Sequence, residues 1–296
     1  MTVQPGFFDA APTPGPGRVR CGTSSFSASE WVGTFYPRGT RPGDFLRHYA
    51  TQFDTVEVDA TYYHVPARET VDAWADKTPE HFVVSAKFPR AIVHAGSGPA
   101  PDPGRLLQRD VTYAERDAFL EVMSRLGRRR GPLVLQFPYF PAECFAARHD
   151  FMTRLEGFLA DLPRDLDYCV EIRNRDWLDE SFAALCRRWQ AALVLVDRVG
   201  MPHGDEVAQR FDPVTGRCAY VRLLGDRQRI ERITTRWERE VLDHRESLAR
   251  WAALLMRLAL RETTIFVYAN NHYAGHAPTT IRRLQALLAD AARGAG

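Results

Sequence analysis

Acidic and basic side chains recur within short apolar runs of this sequence, where burial and proximity could tune them for proton transfer. Glu57 and Lys87 stand in two such runs, Glu171 in a third, and Asp197 ends a fourth. A carboxylate of this set could serve as a general base, while a lysine or arginine beside it could stabilise a developing anion. We therefore regard Glu57, Lys87, Glu171 and Asp197 as candidate catalytic residues, and whether the chain is an enzyme stays open.

A second group of side chains is suited to binding. Arginine holds a phosphate through paired N–H donors, and aromatic rings stack on bases or sugars. The candidate ligand-binding residues are Trp31, Tyr63, Gln136, Arg173, Trp177, Arg222, Asn270 and Asn271. This mixture favours an anionic, phosphate-bearing ligand, with nucleic acid preferred. We expect Arg222→Met to abolish ligand binding without unfolding the protein.

Two alternatives remain open for the same side chains. One is a hydrolase or lyase that acts on a phosphorylated or carbohydrate small molecule, with Glu57 or Glu171 as the general base. The other is a structural role, in which pairs such as Glu171 with Arg222, or Glu57 with Lys87, only complete the packing. Against the structural role, burying several charges is costly unless they are paired, so a ring of them suggests a hydrated pocket.

Metal and cofactor binding are not expected. The residues that could supply metal ligands are Glu57, His94, Glu171, Asp197, His272 and His276. The sequence has no HExxH motif, and the lysine and arginine side chains expected beside the carboxylates disfavour a dication. We therefore predict no obligatory metal and no cofactor.

The elements that must position these residues are short apolar runs that alternate with segments of helical apolar spacing. The runs cover residues 19–24, 55–59, 82–88, 132–137, 168–173, 193–197, 219–224 and 265–271. Eight such strands in a chain of this length predict a TIM-type (β/α)8 barrel over an open α/β sheet. Residues 198–217, after the sixth strand, lack a helical period and predict an irregular connection.

Strand parity then assigns the side chains to the barrel interior. One face of each strand meets the helices and is apolar, whereas the other points inward and tolerates polar groups near the C-terminal mouth. On this basis the residues that point inward are Glu57, Asp59, Lys87, Gln136, Glu171, Arg173, Asp197, Arg222 and Asn270.

The N-terminal residues 1–17, rich in proline, glycine and alanine, predict a flexible tail before one folded domain over residues 18–296. Within this tail, QPGFF is similar to the QxxLF-type peptide by which bacterial replication and repair proteins dock onto the sliding clamp. The similarity implies a clamp contact through Gln4, Phe7 and Phe8, with Phe7 standing where leucine is usual.

Net charge, cysteine content and hydropathy indicate the environment in which the protein works. A formal net charge of +2 makes the field of the whole molecule weak, so anion binding must come from local clustering. The five cysteines form no CxxC pair, which indicates a reducing compartment, and no stretch approaches the roughly 18 apolar residues of a membrane span. We expect a cytoplasmic protein without a membrane partner.

Several motifs together resemble the YecE-like family, also called domain of unknown function 72. They are CGTSSFSASEW, EVDATYYHVP, LVLQFPYF, VEIRNRDW, YVRLLG and VYANNHYAGHAPTTIRRLQALL, in order within residues 18–290. The resemblance implies a TIM barrel and carries no settled activity. The sequence departs from the family pattern at Asp59 and Tyr62, where Asn and Phe are usual, and at Asn174 and Leu224, where His is usual.

Overall fold

The computed structural model of the chain describes residues 18–145, 147–261 and 263–294. Its strands are β1 (Val19–Thr23), β2 (Thr55–Val58), β3 (Val83–Lys87), β4 (Arg130–Gln136), β5 (Tyr168–Glu171), β6 (Ala192–Arg198), β7 (Cys218–Gly225) and β8 (Thr264–Ala269). Gln4, Phe7 and Phe8 of the predicted clamp-binding peptide lie outside these residues.

The helices lie mainly between consecutive strands. They are α1 (Phe45–Tyr49), α2 (Arg68–Asp76), α3 (Arg90–Val93), α4 (Arg109–Ser124), α5 (Arg148–Ala160), α6 (Glu180–Arg188), α7 (Gly204–Arg210), α8 (Arg227–Glu231), α9 (Arg245–Ala259), α10 (Asn271–Ala274) and α11 (Ala277–Gly294). The connection after β6, predicted to be irregular, therefore contains one short helix, α7. Seven residues are too few for an apolar period to stand out in sequence.

The strands form one parallel sheet in the order β1-β8-β7-β6-β5-β4-β3-β2. Its two edges, β1 and β2, lie next to each other, so the sheet curls into a nearly closed barrel. The predicted TIM-type barrel is confirmed. The helices cover the outer face of the barrel, as parallel strands require.

The gap between β1 and β2 is bridged by a tyrosine hydroxyl. The Tyr49 hydroxyl accepts from the Thr23 backbone N–H at 2.8 Å and donates to the Thr55 carbonyl at 3.2 Å. Gly22 allows this close approach, because a Cβ at that position would lie 2.1 Å from the Thr55 carbonyl oxygen. The side chain of one residue on α1 thus replaces a ladder hydrogen bond that the edge strands do not make directly.

Buried apolar side chains form two main clusters, one on each face of the strands. Between the sheet and the helices lie residues such as Val56, Leu135 and Val170. Inside the barrel, below the mouth, is a smaller cluster of Val134, Cys169, Ala192, Val194, Val196, Cys218, Tyr220, Phe266 and Tyr268. This interior cluster forms an apolar floor, so the polar side chains above it are confined to the C-terminal end of the barrel.

Candidate functional site

Arg222 is the centre of a buried polar network above that floor. Its guanidinium, on β7, donates to Oε1 of Glu57 on β2 at 2.9 Å and to Oε2 of Glu171 on β5 at 2.5 Å. A third hydrogen bond, at 2.7 Å, reaches Oε1 of Gln136 on β4. Arg222 is 1% exposed and both glutamates are 0% exposed. Parity correctly places these four side chains inside the barrel.

The two glutamates are held in their ionised forms. Burial alone would raise the pKa of Glu171, but the charges of Arg222 and Arg173 outweigh it and lower that pKa to about 2. Arg222 and Lys87 similarly overcome burial at Glu57 and lower its pKa below the usual range. A general base works best when its pKa lies near the working pH. Neither glutamate therefore has the basicity that the alternative enzymatic role requires.

Lys87 and Asp59 form an ion pair closer to the opening. The Lys87 ammonium contacts the Asp59 carboxylate and lies 3.8 Å from Oε1 of Glu57. The side chain of Asp59 is 31% exposed. Burial of its carboxylate and the neighbouring Glu57 raise the pKa of Asp59 although Lys87 opposes the change. Asp59 is thus more basic than either glutamate and faces the ligand space.

The space above this network is a cavity of about 550 Å³, here called the mouth cavity. It is lined by Asp59, Tyr62, Tyr63, Lys87, Gln136, Arg173, Arg198, Val199, Arg222, Leu224, Gly225, Asp226, Arg227, Gln228, Asn270 and His272. A volume of this size accommodates a small-molecule ligand. The predicted ligand-binding residues Tyr63, Gln136, Arg173, Arg222 and Asn270 all line it.

A second cavity, the side cavity, also has a volume of about 550 Å³ and adjoins the first. Its walls are Tyr139, Phe140, Ala142, Arg173, Asn174, Arg175, Asp176, Trp177, Arg198 and Gly200. Arg173 and Arg198 line both cavities, so the two spaces adjoin at these residues. The predicted residue Trp177 lies here, with its ring stacked on Phe140 at a centroid distance of 5.8 Å.

Asp197 does not point into the barrel, and its assignment to the pocket is wrong. Its Oδ2 accepts hydrogen bonds from Nε1 of Trp251 and the hydroxyl of Tyr273, each at 2.8 Å, and from the hydroxyl of Ser247. These partners lie on α9 and α10, outside the sheet. Because residues 193–196 are all apolar, alternation could not show which face of β6 is inward.

The neighbours of Asp197 contain a Ser–His–Asp chain that is not arranged for nucleophilic attack. Nδ1 of His203 lies 2.7 Å from Oδ1 of Asp205, and its Nε2 lies 3.3 Å from Oγ of Ser247. The Ser247 hydroxyl, however, donates its hydrogen to Asp197. A serine nucleophile must give that proton to the histidine, so this cluster is a hydrogen-bonded support between α7, α9 and β6.

Trp31 and Asn271 also lie outside the ligand space, contrary to prediction. Trp31 is 1% exposed, and its Nε1 donates to Oδ1 of Asn271 at 3.2 Å. The same oxygen accepts the backbone N–H of Ala277 at 3.0 Å. These side chains tie the loop after β1 to the start of α11. A buried tryptophan cannot stack on a ligand, and sequence shows only that the residue is aromatic.

The candidate catalytic and ligand-binding sets do not include Asp59, Arg198 or His272, and all three line the mouth cavity. Asp59 had been placed inward by parity without a role. Arg198 points inward by ordinary alternation along β6, on the same face as Val194 and Val196 of the interior cluster. The apolar run before Arg198 hides this parity in the sequence.

His272 and His276 are four residues apart, a spacing that can hold a metal on a helix. Here they do not converge, because Gly275, with a φ of 113°, ends α10 between them. His272 contacts Asn270 and Glu231, whereas His276 contacts Thr279. Across the described residues, no group of three or more His, Cys, Asp or Glu side chains converges as a metal site. None of the described helices has both the length and the apolar character needed to cross a membrane.

Comparisons with known proteins agree on one family. The family model described as "Protein of unknown function DUF72" matches residues 20–295. The protein YecE of Escherichia coli is 33% identical over 142 residues, which cover 47% of this chain and 45% of YecE. YunF of Bacillus subtilis is 22% identical over 149 residues, 50% of this chain and 49% of YunF. The match therefore spans about half the length of these curated relatives.

Solved structures agree with the fold. A DUF72 protein from Thermotoga maritima superposes with a TM-score of 0.67 at 24% identity, covering 93% of this chain and 99% of that one. A DUF72 protein from Enterococcus faecalis gives a TM-score of 0.67 at 21% identity, with 92% and 96% covered. At these identities the likeness establishes the fold alone.

Proposed function

The chain belongs to the DUF72 family, and from this premise together with the charged mouth of its barrel we propose that it binds an anionic, phosphate-bearing ligand, with nucleic acid favoured. The observation that carries the proposal is the position and lack of partners of the Arg198 side chain. This side chain lines both cavities, and it forms no ion pair or side-chain hydrogen bond within the described ranges. An arginine without a carboxylate partner in a cavity wall is suited to hold a phosphate.

The balance of charge around Arg198 supports the same conclusion. Five cationic side chains line the mouth cavity, and the acidic ones are Asp59 and Asp226. Glu57 and Glu171, beneath the cavity, are already bound by Arg222. Burial and the positive charge of nearby Arg173 lower the pKa of Arg198. An anion between these two guanidinium groups would relieve their repulsion.

Exposed hydrophobic side chains also gather around the mouth. Among the described residues, those that are large, hydrophobic and exposed are Tyr63, Val111, Tyr139, Val199, Ile233 and Leu260. Four of these six follow the C-terminal ends of β2, β4, β6 and β7, which is the end that carries the cavities. Apolar surface beside unpaired positive charge suits a ligand with both a phosphate and a ring.

Calorimetric titration of the purified protein tests the proposal. The ligands are thymidine 5′-monophosphate and glucose 6-phosphate, with thymidine and glucose as uncharged controls. We expect the phosphorylated compounds to bind more tightly than the uncharged controls. Arg198→Gln should lower the affinity for the phosphorylated compounds by about tenfold. Arg128→Gln is the matched control, because it removes the same charge just before β4, at the opposite end of the barrel. Equal affinities for the two variants would contradict the proposal.

A second candidate function, hydrolysis or elimination on a phosphorylated or carbohydrate substrate, is supported by Asp59 rather than by Glu57 or Glu171. The raised pKa of Asp59 and its partial exposure beside Lys87 suit a proton-transferring group. A turnover screen against phosphorylated sugars and nucleic acids tests it. Asp59→Asn should abolish turnover while ligand binding persists, whereas turnover that survives in this variant would contradict the role of Asp59.

A further inference from the structure

We infer that the ligand is a single strand of nucleic acid that occupies both cavities, with one nucleotide in the mouth cavity and the next in the side cavity. The phosphodiester that joins them then lies between Arg173 and Arg198. This inference rests on the proposed function and narrows its ligand from any phosphate-bearing molecule to an oligomer.

The arrangement of the cavities supports an oligomer over a single small molecule. Each cavity has a volume of about 550 Å³, and the two meet at a shared wall. Arg173 and Arg198 line both cavities, so two of the cations lie where the cavities adjoin. The other cations are Lys87, Arg222 and Arg227 in the mouth cavity and Arg175 in the side cavity. A monomer would use one cavity and leave the other empty. A linked pair of units with an anionic connector matches both volumes and the position of the charge.

Each cavity also offers an aromatic surface. Tyr63 lines the mouth cavity and is 76% exposed, and Tyr139 lines the side cavity and is 61% exposed. Exposed rings beside a cationic groove are the usual means by which proteins hold successive bases of a single strand. Phosphorylated sugars have no flat ring that would use two such surfaces.

Two amide side chains, Gln136 and Asn270, also line the mouth cavity. Gln136 uses its Oε1 to accept from Arg222, and Asn270 uses its Oδ1 to accept from His272. The amide nitrogens of both side chains have no hydrogen-bond partner in the part of the chain that the structure describes. They can donate to the carbonyl oxygens or ring nitrogens that all bases carry.

The position of the mouth cavity favours a single strand over a duplex. Its floor is formed by Lys87 and Arg222, which lie within the end of the barrel and are 6% and 1% exposed. A base in a duplex stays within the stack and cannot reach such a floor unless it is extruded. A single strand has no such pairing to break.

The test is a length series measured by calorimetry with thymidine 5′-monophosphate, the dinucleotide, the tetranucleotide and an eight-base-pair duplex. We expect the tetranucleotide to bind at least about tenfold more tightly than the mononucleotide and the duplex. Tyr139→Ala should lower the affinity for the tetranucleotide by about tenfold and for the mononucleotide by less. Arg128→Gln again serves as the control that changes neither.

The outcomes separate the two proposals. Equal affinity for the mononucleotide and the tetranucleotide would overturn the oligomer inference and leave phosphate binding intact. Duplex binding as tight as that of the tetranucleotide would overturn the preference for a single strand. If no nucleotide of any length binds but glucose 6-phosphate does, this inference is wrong, whereas the proposed binding of a phosphate-bearing ligand is still supported. If nothing phosphorylated binds, both are wrong.

Discussion

Nη2 of Arg222 lies 2.9 Å from Oε1 of Glu57, although these residues belong to strands that stand three places apart around the barrel. The bond crosses the interior, and a second one from the same guanidinium reaches Glu171. Because all three side chains are buried, the network braces the barrel as well as shaping the floor of the mouth cavity. Function and stability are therefore coupled at this arginine.

Replacing Arg222 with methionine should destabilise the protein, in contrast to the expectation from sequence. Removing the guanidinium leaves Glu57 with Lys87 at 3.8 Å and Glu171 with Arg173 as their remaining counter-charges. Breaking a buried ion pair by removing one partner typically costs about 3–5 kcal/mol. Urea denaturation followed by circular dichroism measures the change. The triple variant Glu57→Gln, Glu171→Gln, Arg222→Met should recover much of the loss, because it removes both buried carboxylates together with the guanidinium that they share. A single variant within about 1 kcal/mol of wild type would show that the network contributes little.

The stability contributed by Glu171 should depend on pH. Its folded-state pKa of about 2 lies below the ordinary glutamate pKa of 4.5, so folding favours the ionised form. The contribution, about 3 kcal/mol, is fully present above pH 4.5 and is lost as the pH falls through 2. Glu171→Gln should be less stable than wild type at pH 7, and the difference should shrink on acidification. A difference that stays constant across denaturation curves from pH 7 to pH 3 would contradict this assignment.

Tyr49→Phe tests the bridge between β1 and β2. The substitution removes the hydroxyl and leaves the buried N–H of Thr23 and the carbonyl of Thr55 without this partner. We expect a loss of about 1–3 kcal/mol in the free energy of unfolding. Hydrogen exchange should also accelerate at the Thr23 amide. Phe82→Leu, a buried substitution that removes no hydrogen bond, is the comparison; exchange at Thr23 that accelerates equally in both variants would argue against a specific bridge.

Asp197→Ala should affect stability and leave ligand affinity unchanged. The carboxylate satisfies Trp251, Tyr273 and Ser247, so its loss leaves buried donors unpaired at a cost of about 2 kcal/mol or more. The variant is compared with wild type by thermal unfolding and by calorimetry with thymidine 5′-monophosphate. Weakened ligand binding in a variant that remains folded would show that Asp197 does contribute to the ligand site.

The clamp contact proposed from the tail is tested with a peptide of residues 1–12. We expect this peptide to bind a bacterial sliding clamp through Gln4, Phe7 and Phe8, because such peptides bury their terminal apolar side chains in a groove. The control peptide carries Gln4→Ala and Phe8→Ala. Binding that is equal for the two peptides, or absent for both, removes the tail from the case for nucleic acid.

The sequence by itself determined the barrel and most of the interior polar ring. At the C-terminal ends of β2, β4 and β5, one polar residue stands between two apolar ones, and the side-chain period of two in a strand converts that position into a direction. Glu57, Gln136 and Glu171 were placed correctly for this reason. The same rule needs no knowledge of which strands are neighbours, because each strand carries its own signal.

Only the tertiary structure decided which of these groups are available to a ligand. Glu57 and Glu171 differ from Asp59 in basicity because Arg222 reaches them across the barrel, and such a contact depends on where β7 lies relative to β2 and β5. Asp197 was wrongly placed inward because β6 is apolar on both faces over residues 193–196, so its sequence could not show that Arg198 faces the interior instead. Side-chain type sets what chemistry a residue can do, but burial and partners, which come from strands distant in sequence, set whether it is free to do it.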